Sequence, residues 1–133
     1  MYVDKQLLLS DAQTVCNSGS ELSENIIDLS AAKNIAKGKP LYLVVIIDTA
    51  FSTCTSIDFQ LWTDDTTTVS SGTMMCSTGP IVVASLTANR APIVLPVGDA
   101  LGTAEQYIGV YYVLAGSNDS GNAVTAFLTC DPV

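Results

Sequence analysis

The chain has 133 residues, which is a length typical of one domain, and it carries 13 acidic side chains against five Lys and Arg, for a net charge of −8. Nucleic-acid binders need clustered cations to displace phosphate counterions, so this balance argues against DNA or RNA as a partner. No apolar run approaches the roughly 18 residues of a membrane span, and residues 1–5 lack a basic start followed by an apolar signal core. We therefore expect synthesis in the cytosol, no export and no membrane partner.

The composition predicts an all-β domain spanning residues 1–133. Charged residues make up only 14% of the chain and hydrophobic residues 48%, with many Thr, Val and Ile and scattered Gly and Pro. In chain order, residues 7–9 form either a short strand or one helical turn, and we favour the strand. Residues 25–30 form a second strand, and residues 31–37 a short helix of one or two turns that Gly38 ends.

The segment 41–47, Leu-Tyr-Leu-Val-Val-Ile-Ile, is the most informative strand. Seven consecutive apolar residues rich in β-branched types favour a strand over a helix, and Gly38-Lys39-Pro40 supplies a turn before it. A strand with one solvated face alternates apolar and polar residues, whereas this one does not. Both of its faces must therefore be covered, one by a sandwich core and the other by a second protein surface or by long loops.

The next strand, at residues 56–63, has two distinct faces. Ile57, Phe59 and Leu61 share the apolar face, and Asp58, Gln60 and Trp62 share the other. Residues 64–78 are expected to be a long Thr- and Ser-rich loop. The remaining predicted strands are 81–86, 93–95, 106–114 and 122–130, and 106–114 is the second one that is apolar on both faces.

Eight strands at turn-punctuated intervals predict an eight-stranded jelly-roll sandwich. In that topology the first, eighth, third and sixth strands form one sheet, and the second, seventh, fourth and fifth form the other. The two strands without a polar face, the third and the seventh, then lie inside their sheets. The sixth strand lies between Pro92 and Pro96, which restricts it to a sheet edge.

The sequence predicts no catalytic, metal or cofactor site. It contains no His, which excludes Ser-His-Asp and Cys-His arrangements. The four cysteines, Cys16, Cys54, Cys76 and Cys130, have no pair at metal or redox spacing, so we expect reduced, partly buried thiols. Their even number would permit disulfides in a particle released from the cell.

Two polar motifs have alternative interpretations. Asp64-Asp65, with Asp58 nearby, supplies oxygen ligands of the kind Ca²⁺ prefers, but the spacing matches no calcium loop and solvated carboxylates are the preferred interpretation. Asn118-Asp119-Ser120 matches a glycosylation acceptor, and such triplets are frequent by chance. In either case residues 116–121 form a loop tip.

A resemblance to a known family suggests a role. Residues 4–13, Asp-Lys-Gln-Leu-Leu-Leu-Ser-Asp-Ala-Gln, and then Ile27-Asp28-Leu29, resemble the start of the small jelly-roll capsid cement (decoration) proteins of tailed bacteriophages. The later layout is similar too, with Gly-Lys-Pro-Leu before an apolar strand, Pro-Ile-Val-Leu-Pro at 92–96 and Gln-Tyr-Ile-Gly-Val-Tyr-Tyr at 106–112.

The resemblance implies a structural virion protein and not an enzyme. Such proteins bind the outside of an icosahedral shell as oligomers and lock neighbouring major capsid subunits together. The expected partners are therefore the major capsid protein and further copies of this chain, as a dimer or a trimer, on a virion exterior after synthesis in the host cytoplasm.

Aromatic side chains supply the candidate contact residues. Tyr107 and Tyr111 should share one face of the seventh strand, with Tyr112 on the other, and Trp62 lies on the neighbouring fourth strand. These rings fit a core, a protein interface or a sugar-stacking platform. The predicted interface set is Tyr2, Leu7, Leu9, Leu41, Leu43, Trp62, Tyr111 and Tyr112. The alternative function is a carbohydrate-binding β-sandwich that uses Trp62 with Tyr111 or Tyr112.

Overall fold

The computed structural model describes residues 7–30, 41–97 and 106–130, which form two antiparallel sheets packed as a sandwich. The strands are β1 (Leu8–Gln13), β2 (Glu21–Leu22), β3 (Ile27–Asp28), β4 (Leu41–Thr49), β5 (Cys54–Asp64), β6 (Thr73–Val82), β7 (Ile93–Val97), β8 (Tyr107–Gly116) and β9 (Ala123–Thr129). The described residues also include the 3-10 helices Val69–Ser71 and Val83–Ser85. Within these three ranges no helix has the length and hydrophobicity needed to cross a membrane.

The strand order confirms the predicted jelly roll. One sheet runs β1-β9-β4-β7, and the other runs β2-β8-β5-β6 with β3 also paired to β8. Both doubly apolar strands, β4 and β8, lie inside their sheets, and β7 is at an edge as its prolines require. The predicted short helix at residues 31–37 falls outside the described residues.

The predicted second strand, 25–30, is wrong in its length. Only Ile27–Asp28 pairs there, and Glu21–Leu22 forms a separate short strand on the same neighbour, β8. Ser23 explains the break, because its hydroxyl accepts the Val110 N–H at 3.1 Å and donates to the Asn25 carbonyl at 2.9 Å. A side chain that takes the place of backbone partners interrupts the ladder. The described residues therefore contain nine strands, where eight were predicted.

The predicted loop at 64–78 is also wrong in its second half, since β6 begins at Thr73. This strand is a sheet edge with two register shifts against β5, and it contains Gly79 at φ 73° followed by Pro80. An edge strand needs little apolar surface, and bulges and proline protect it from pairing with other chains. Its Thr and Ser content therefore resembled a loop. The predicted strand 81–86 ends early, where Val83–Ser85 turns into the second 3-10 helix.

The core lies between the sheets and is continuous. Phe59 and Tyr112 are its largest aromatic members, with ring centroids 5.8 Å apart and perpendicular planes. They belong to a cluster of buried side chains from both sheets that includes Leu9, Leu43, Val45, Ile57, Leu61, Leu86, Ile108, Val110, Ala126 and Leu128. Burying one such large side chain contributes about 1.5–3 kcal/mol.

The outward faces of β4 and β8 are partly covered by the chain itself. On β4, Val44 alternates with core residues and is nonetheless fully buried, as is its cross-strand partner Phe127. On β8, a Cβ added to Gly109 would lie 2.5 Å from Ile26 Cδ1 and 3.0 Å from Val69 Cγ2. Loops of the same chain therefore cover part of these outward faces. Their burial does not by itself require a second molecule.

Gly72 offers a test of how tightly the loop after β5 packs. A Cβ at this position would lie 2.0 Å from the Thr63 carbonyl oxygen and 2.7 Å from Asp64 Cβ. Because the nearest atom belongs to backbone, Gly72→Ala should lower the free energy of unfolding by about 3 kcal/mol in chemical denaturation. Gly121→Ala is the matched control, because its nearest neighbour would be Ser52 Oγ at 3.8 Å, and its effect should stay within about 0.5 kcal/mol. Equal effects of the two substitutions would contradict the packing described.

Candidate interaction surface

The structure divides the predicted interface set into buried and surface members. Leu9, Leu43 and Tyr112 are fully buried in the core, so they cannot contact a partner while the chain is folded, and we correct the set accordingly. Leu7 and Leu41 are half-buried and pack against the same core. The position of Tyr2 lies outside the described residues. Trp62 and Tyr111 remain as surface candidates.

The side chain of Tyr112 points into the core. Successive side chains alternate along β8, so Tyr111 lies on the opposite face of the sheet. Its hydroxyl lies 2.6 Å from Ser10 Oγ, and Ser10 in turn donates to Gln13 Oε1 at 2.7 Å. Burial raises the pKa of Tyr112 above its ordinary range. This hydrogen-bonded chain links β1, in the four-stranded sheet, to the centre of the other sheet.

Trp62 and Tyr111 meet on the outward face of the second sheet. Their ring centroids are 6.2 Å apart and their planes are perpendicular. Leu22 pairs across the strands with Tyr111, and Met74 pairs with Trp62, so both have the same outward direction. Together with Val113, two residues along β8, these side chains form what we call the outer patch: Leu22, Trp62, Met74, Tyr111 and Val113. Met74 is 43% exposed and the other four are half-buried.

Polar side chains on β5 hold the tryptophan in place. The Trp62 indole N–H donates to Gln60 Oε1 at 2.8 Å, and the Gln60 amide donates to Asp58 Oδ2 at 2.7 Å. The Ser77 hydroxyl donates to the other oxygen of Asp58 at 2.7 Å. These hydrogen bonds fix the Trp62 ring and also the half-buried carboxylate of Asp58, four residues earlier on the strand.

A second carboxylate flanks the ring on its other side along the strand. Asp64 Oδ2 accepts from the Ser71 hydroxyl at 2.7 Å, and Asp64 Oδ1 accepts from the Asp65 N–H at 2.7 Å. These hydrogen bonds, that of Ser71 first, hold the pKa of Asp64 below its ordinary value. Trp62 thus lies between two carboxylates, on the outward side of β5, that hydrogen bonds hold in position.

Three of the four thiols are wholly or partly buried, and that of Cys130 is exposed. All four cysteines are free. Burial raises the pKa of Cys16 to about 12 and those of Cys54 and Cys76 to about 11, so these three stay protonated at neutral pH and are poor nucleophiles. In the part of the chain that the structure describes, no group of three His, Cys, Asp or Glu side chains is arranged to hold a metal ion.

The rings do not form a flat sugar-stacking platform. A sugar spanning two aromatic residues needs both ring faces turned outward, whereas the Trp62 and Tyr111 planes are at 89°. A cavity of about 270 Å³ lies elsewhere, in the loop between β1 and β2, and its lining is polar and free of aromatic rings: Thr14, Asn17, Ser18, Gly19 and Glu21. Both features therefore differ from a flat platform of two aromatic rings.

The sequence analysis did not predict a buried hydrogen-bond network around Asp119. Asp119 is fully buried, and its Oδ2 accepts backbone N–H bonds from Ser52, Thr53 and Cys54 at 2.7, 2.8 and 3.3 Å. The Asn122 side-chain amide donates to Asp119 Oδ1 at 3.1 Å and to the Val15 carbonyl at 2.8 Å, and its oxygen accepts the Val15 N–H at 2.8 Å. The sequence does contain an indication of this network, because Asp and Asn in a tight loop often hydrogen-bond to the backbone. The triplet Asn118-Asp119-Ser120 was considered only as a glycosylation acceptor.

The family model described as Bbp16 matches residues 9–128, which include nearly all of both sheets. No curated protein matches the chain.

Proposed function

The chain belongs to the Bbp16 family, and we propose that it is a capsid cement protein, which binds the outside of a tailed-phage shell as a homo-oligomer and stabilises contacts between major capsid subunits. Two features support this role. Residues 4–13 and 27–29 resemble the start of such proteins, and the chain has the jelly-roll strand order that the resemblance implies. The proposal includes no catalysis and no cofactor.

The outer patch is the observation that carries the proposal. It gathers a tryptophan, a tyrosine and a methionine on one sheet face, and these residue types are enriched in protein interfaces. The fixed indole supports a binding role further, because a ring already held by Gln60 loses little conformational freedom when a partner covers it.

The proposed mechanism is thermodynamic. A protein that binds only correctly assembled neighbouring subunits stabilises that arrangement by mass action, by about 2.7 kcal/mol at a free concentration one hundred times Kd. Oligomers that engage several shell subunits at once add avidity, because the second contact is intramolecular. No change in covalent structure is needed.

Binding to shells that lack this protein tests the role. We expect the purified chain to cosediment with such shells saturably and to raise the temperature at which they dissociate, because bound copies stabilise the assembled state. Size-exclusion chromatography with light scattering should show a dimer or a trimer at micromolar concentration. Shells that neither retain the chain nor gain stability would contradict the role, and a strictly monomeric chain would contradict the oligomer.

The second candidate is a carbohydrate-binding module, for which Trp62 is the supporting observation. A half-buried indole beside hydrogen-bonding side chains resembles a sugar subsite, although its perpendicular neighbour does not. Glycan-array binding that is lost in Trp62→Ala would favour this function. An array without specific binding would leave the capsid role as the better account.

A further inference from the structure

We propose that the outer patch, together with Asp58 and Asp64, docks a lysine- or arginine-bearing segment of a partner protein. This inference rests on the proposed function, in which the partner is a shell subunit. Beyond that function, the inference identifies the face of the sandwich that contacts the partner and the positively charged side chains that the partner must present there.

Charge is the first reason. Residues 7–30, 41–97 and 106–130 contain nine acidic side chains and a single cation, Arg90, whose guanidinium donates to the Ser85 carbonyl. Within the described ranges the sandwich therefore offers a predominantly negative surface. A partner with complementary cations associates faster and with a defined orientation, whereas an acidic partner is repelled.

The arrangement around Trp62 is the second reason. Asp58, Gln60, Trp62 and Asp64 alternate with core residues on β5, so the indole has a carboxylate on each side along the strand. An aromatic face attracts a guanidinium or an ammonium, and each nearby carboxylate can pair with one. Because Ser77, Gln60 and Ser71 already position these carboxylates, a cation would meet them without rearrangement.

The same arrangement disfavours a second copy of this chain as the occupant. In a two-fold dimer through this face, the outer patch of one copy would meet that of the other. Asp58 and Asp64 of both copies would then converge in a partly desolvated interface, where like charges repel. The face therefore suits a different, basic protein, and self-association belongs to another surface.

Paired charge variants test the proposal. In binding to shells that lack this protein, Asp58→Asn/Asp64→Asn should bind about tenfold more weakly at low salt, with a smaller dependence on salt. The matched control is Asp11→Asn/Asp48→Asn, which changes net charge equally but removes exposed acids of the other sheet. The control should bind like the unaltered chain. Equal weakening in both double variants, or in neither, would overturn the proposal.

Footprinting of the unaltered chain provides a measurement that needs no variant. Hydroxyl radicals oxidise accessible side chains, and we expect Trp62 and Met74 to be protected several-fold when the chain is bound to shells. Val82 and Val94, which are 56% and 40% exposed and lie outside the patch, serve as references. Saturable binding without protection of Trp62 would reject this surface and leave the capsid role standing. Absence of any binding to shells would reject both.

Discussion

Asp119→Ala should lower the free energy of unfolding by about 3–5 kcal/mol, because several hydrogen bonds to a charged acceptor are lost together. The carboxylate is fully buried and accepts three backbone N–H groups from the β4–β5 loop and an amide N–H from Asn122. Alanine would leave the Cys54 N–H and the Asn122 amide buried without this acceptor, at a cost of about 1–3 kcal/mol each, whereas the Ser52 and Thr53 donors can turn to water. Chemical denaturation measures the loss directly.

The pH dependence of stability gives an independent test of the same site. Burial by itself would raise the pKa of Asp119, but the bonds from Ser52, Asn122, Thr53 and Cys54 outweigh it and hold the pKa well below its ordinary value. A carboxyl group with a depressed folded-state pKa contributes stability above its unfolded pKa of about 3.9 and loses that contribution as pH falls. The unaltered chain should therefore lose more stability between about pH 5 and pH 2 than Asp119→Asn does.

The control for both measurements is Asp11→Asn, which removes a carboxylate that is exposed on β1. We expect its stability to stay within about 0.5 kcal/mol of the unaltered chain. If Asp119→Ala were equally mild, the loop-anchoring role assigned to Asp119 would be wrong.

Removal of residues 1–13 should prevent stable folding, whereas removal of residues 1–6 should not. The longer deletion takes away all of β1, including Leu9 in the core and Ser10, which bonds the Tyr112 hydroxyl. Loss of a buried leucine alone costs about 2–5 kcal/mol, which is a large share of the 5–15 kcal/mol that stabilises a typical domain. Circular dichroism during heating should show a low or absent transition for the longer deletion.

The shorter deletion separates folding from function. It leaves β1 intact, so its melting temperature should match that of the full chain. We predict that residues 1–6 take part in shell contact, because residues 4–6 belong to the stretch 4–13 that resembles capsid cement proteins. The deletion of residues 1–6 should therefore bind shells more weakly. Full affinity would show that the segment plays no part in attachment.

Strand order was predictable because few topologies fit the pattern. Two strands without a polar face had to be central, and the proline-bounded strand had to be at an edge, which together match the jelly roll. The wrong predictions concerned the bounds of individual strands. Ser23 replaces a backbone partner between β2 and β3, so the predicted strand 25–30 pairs only at Ile27–Asp28. The polar edge strand β6 lacks the apolar content that marks a buried strand.

The face assignment failed for a different physical reason. When a strand is apolar on both sides, its two-residue period does not say which side is the core, since a shift of one residue exchanges the faces. Leu43 and Tyr112 were therefore expected at an interface and are instead in the core. Trp62 was placed correctly on the outward side because β5 alternates clearly, with Phe59 and Leu61 inward.

We propose a tailed-phage origin for this chain, and an electron cryomicroscopy map of that particle tests the proposed role most directly. The account predicts density for this two-sheet sandwich on the outer surface of the shell, bridging adjacent major capsid subunits, with the Trp62 face against a basic segment of the shell. A particle whose exterior carries no copy of this chain would contradict it.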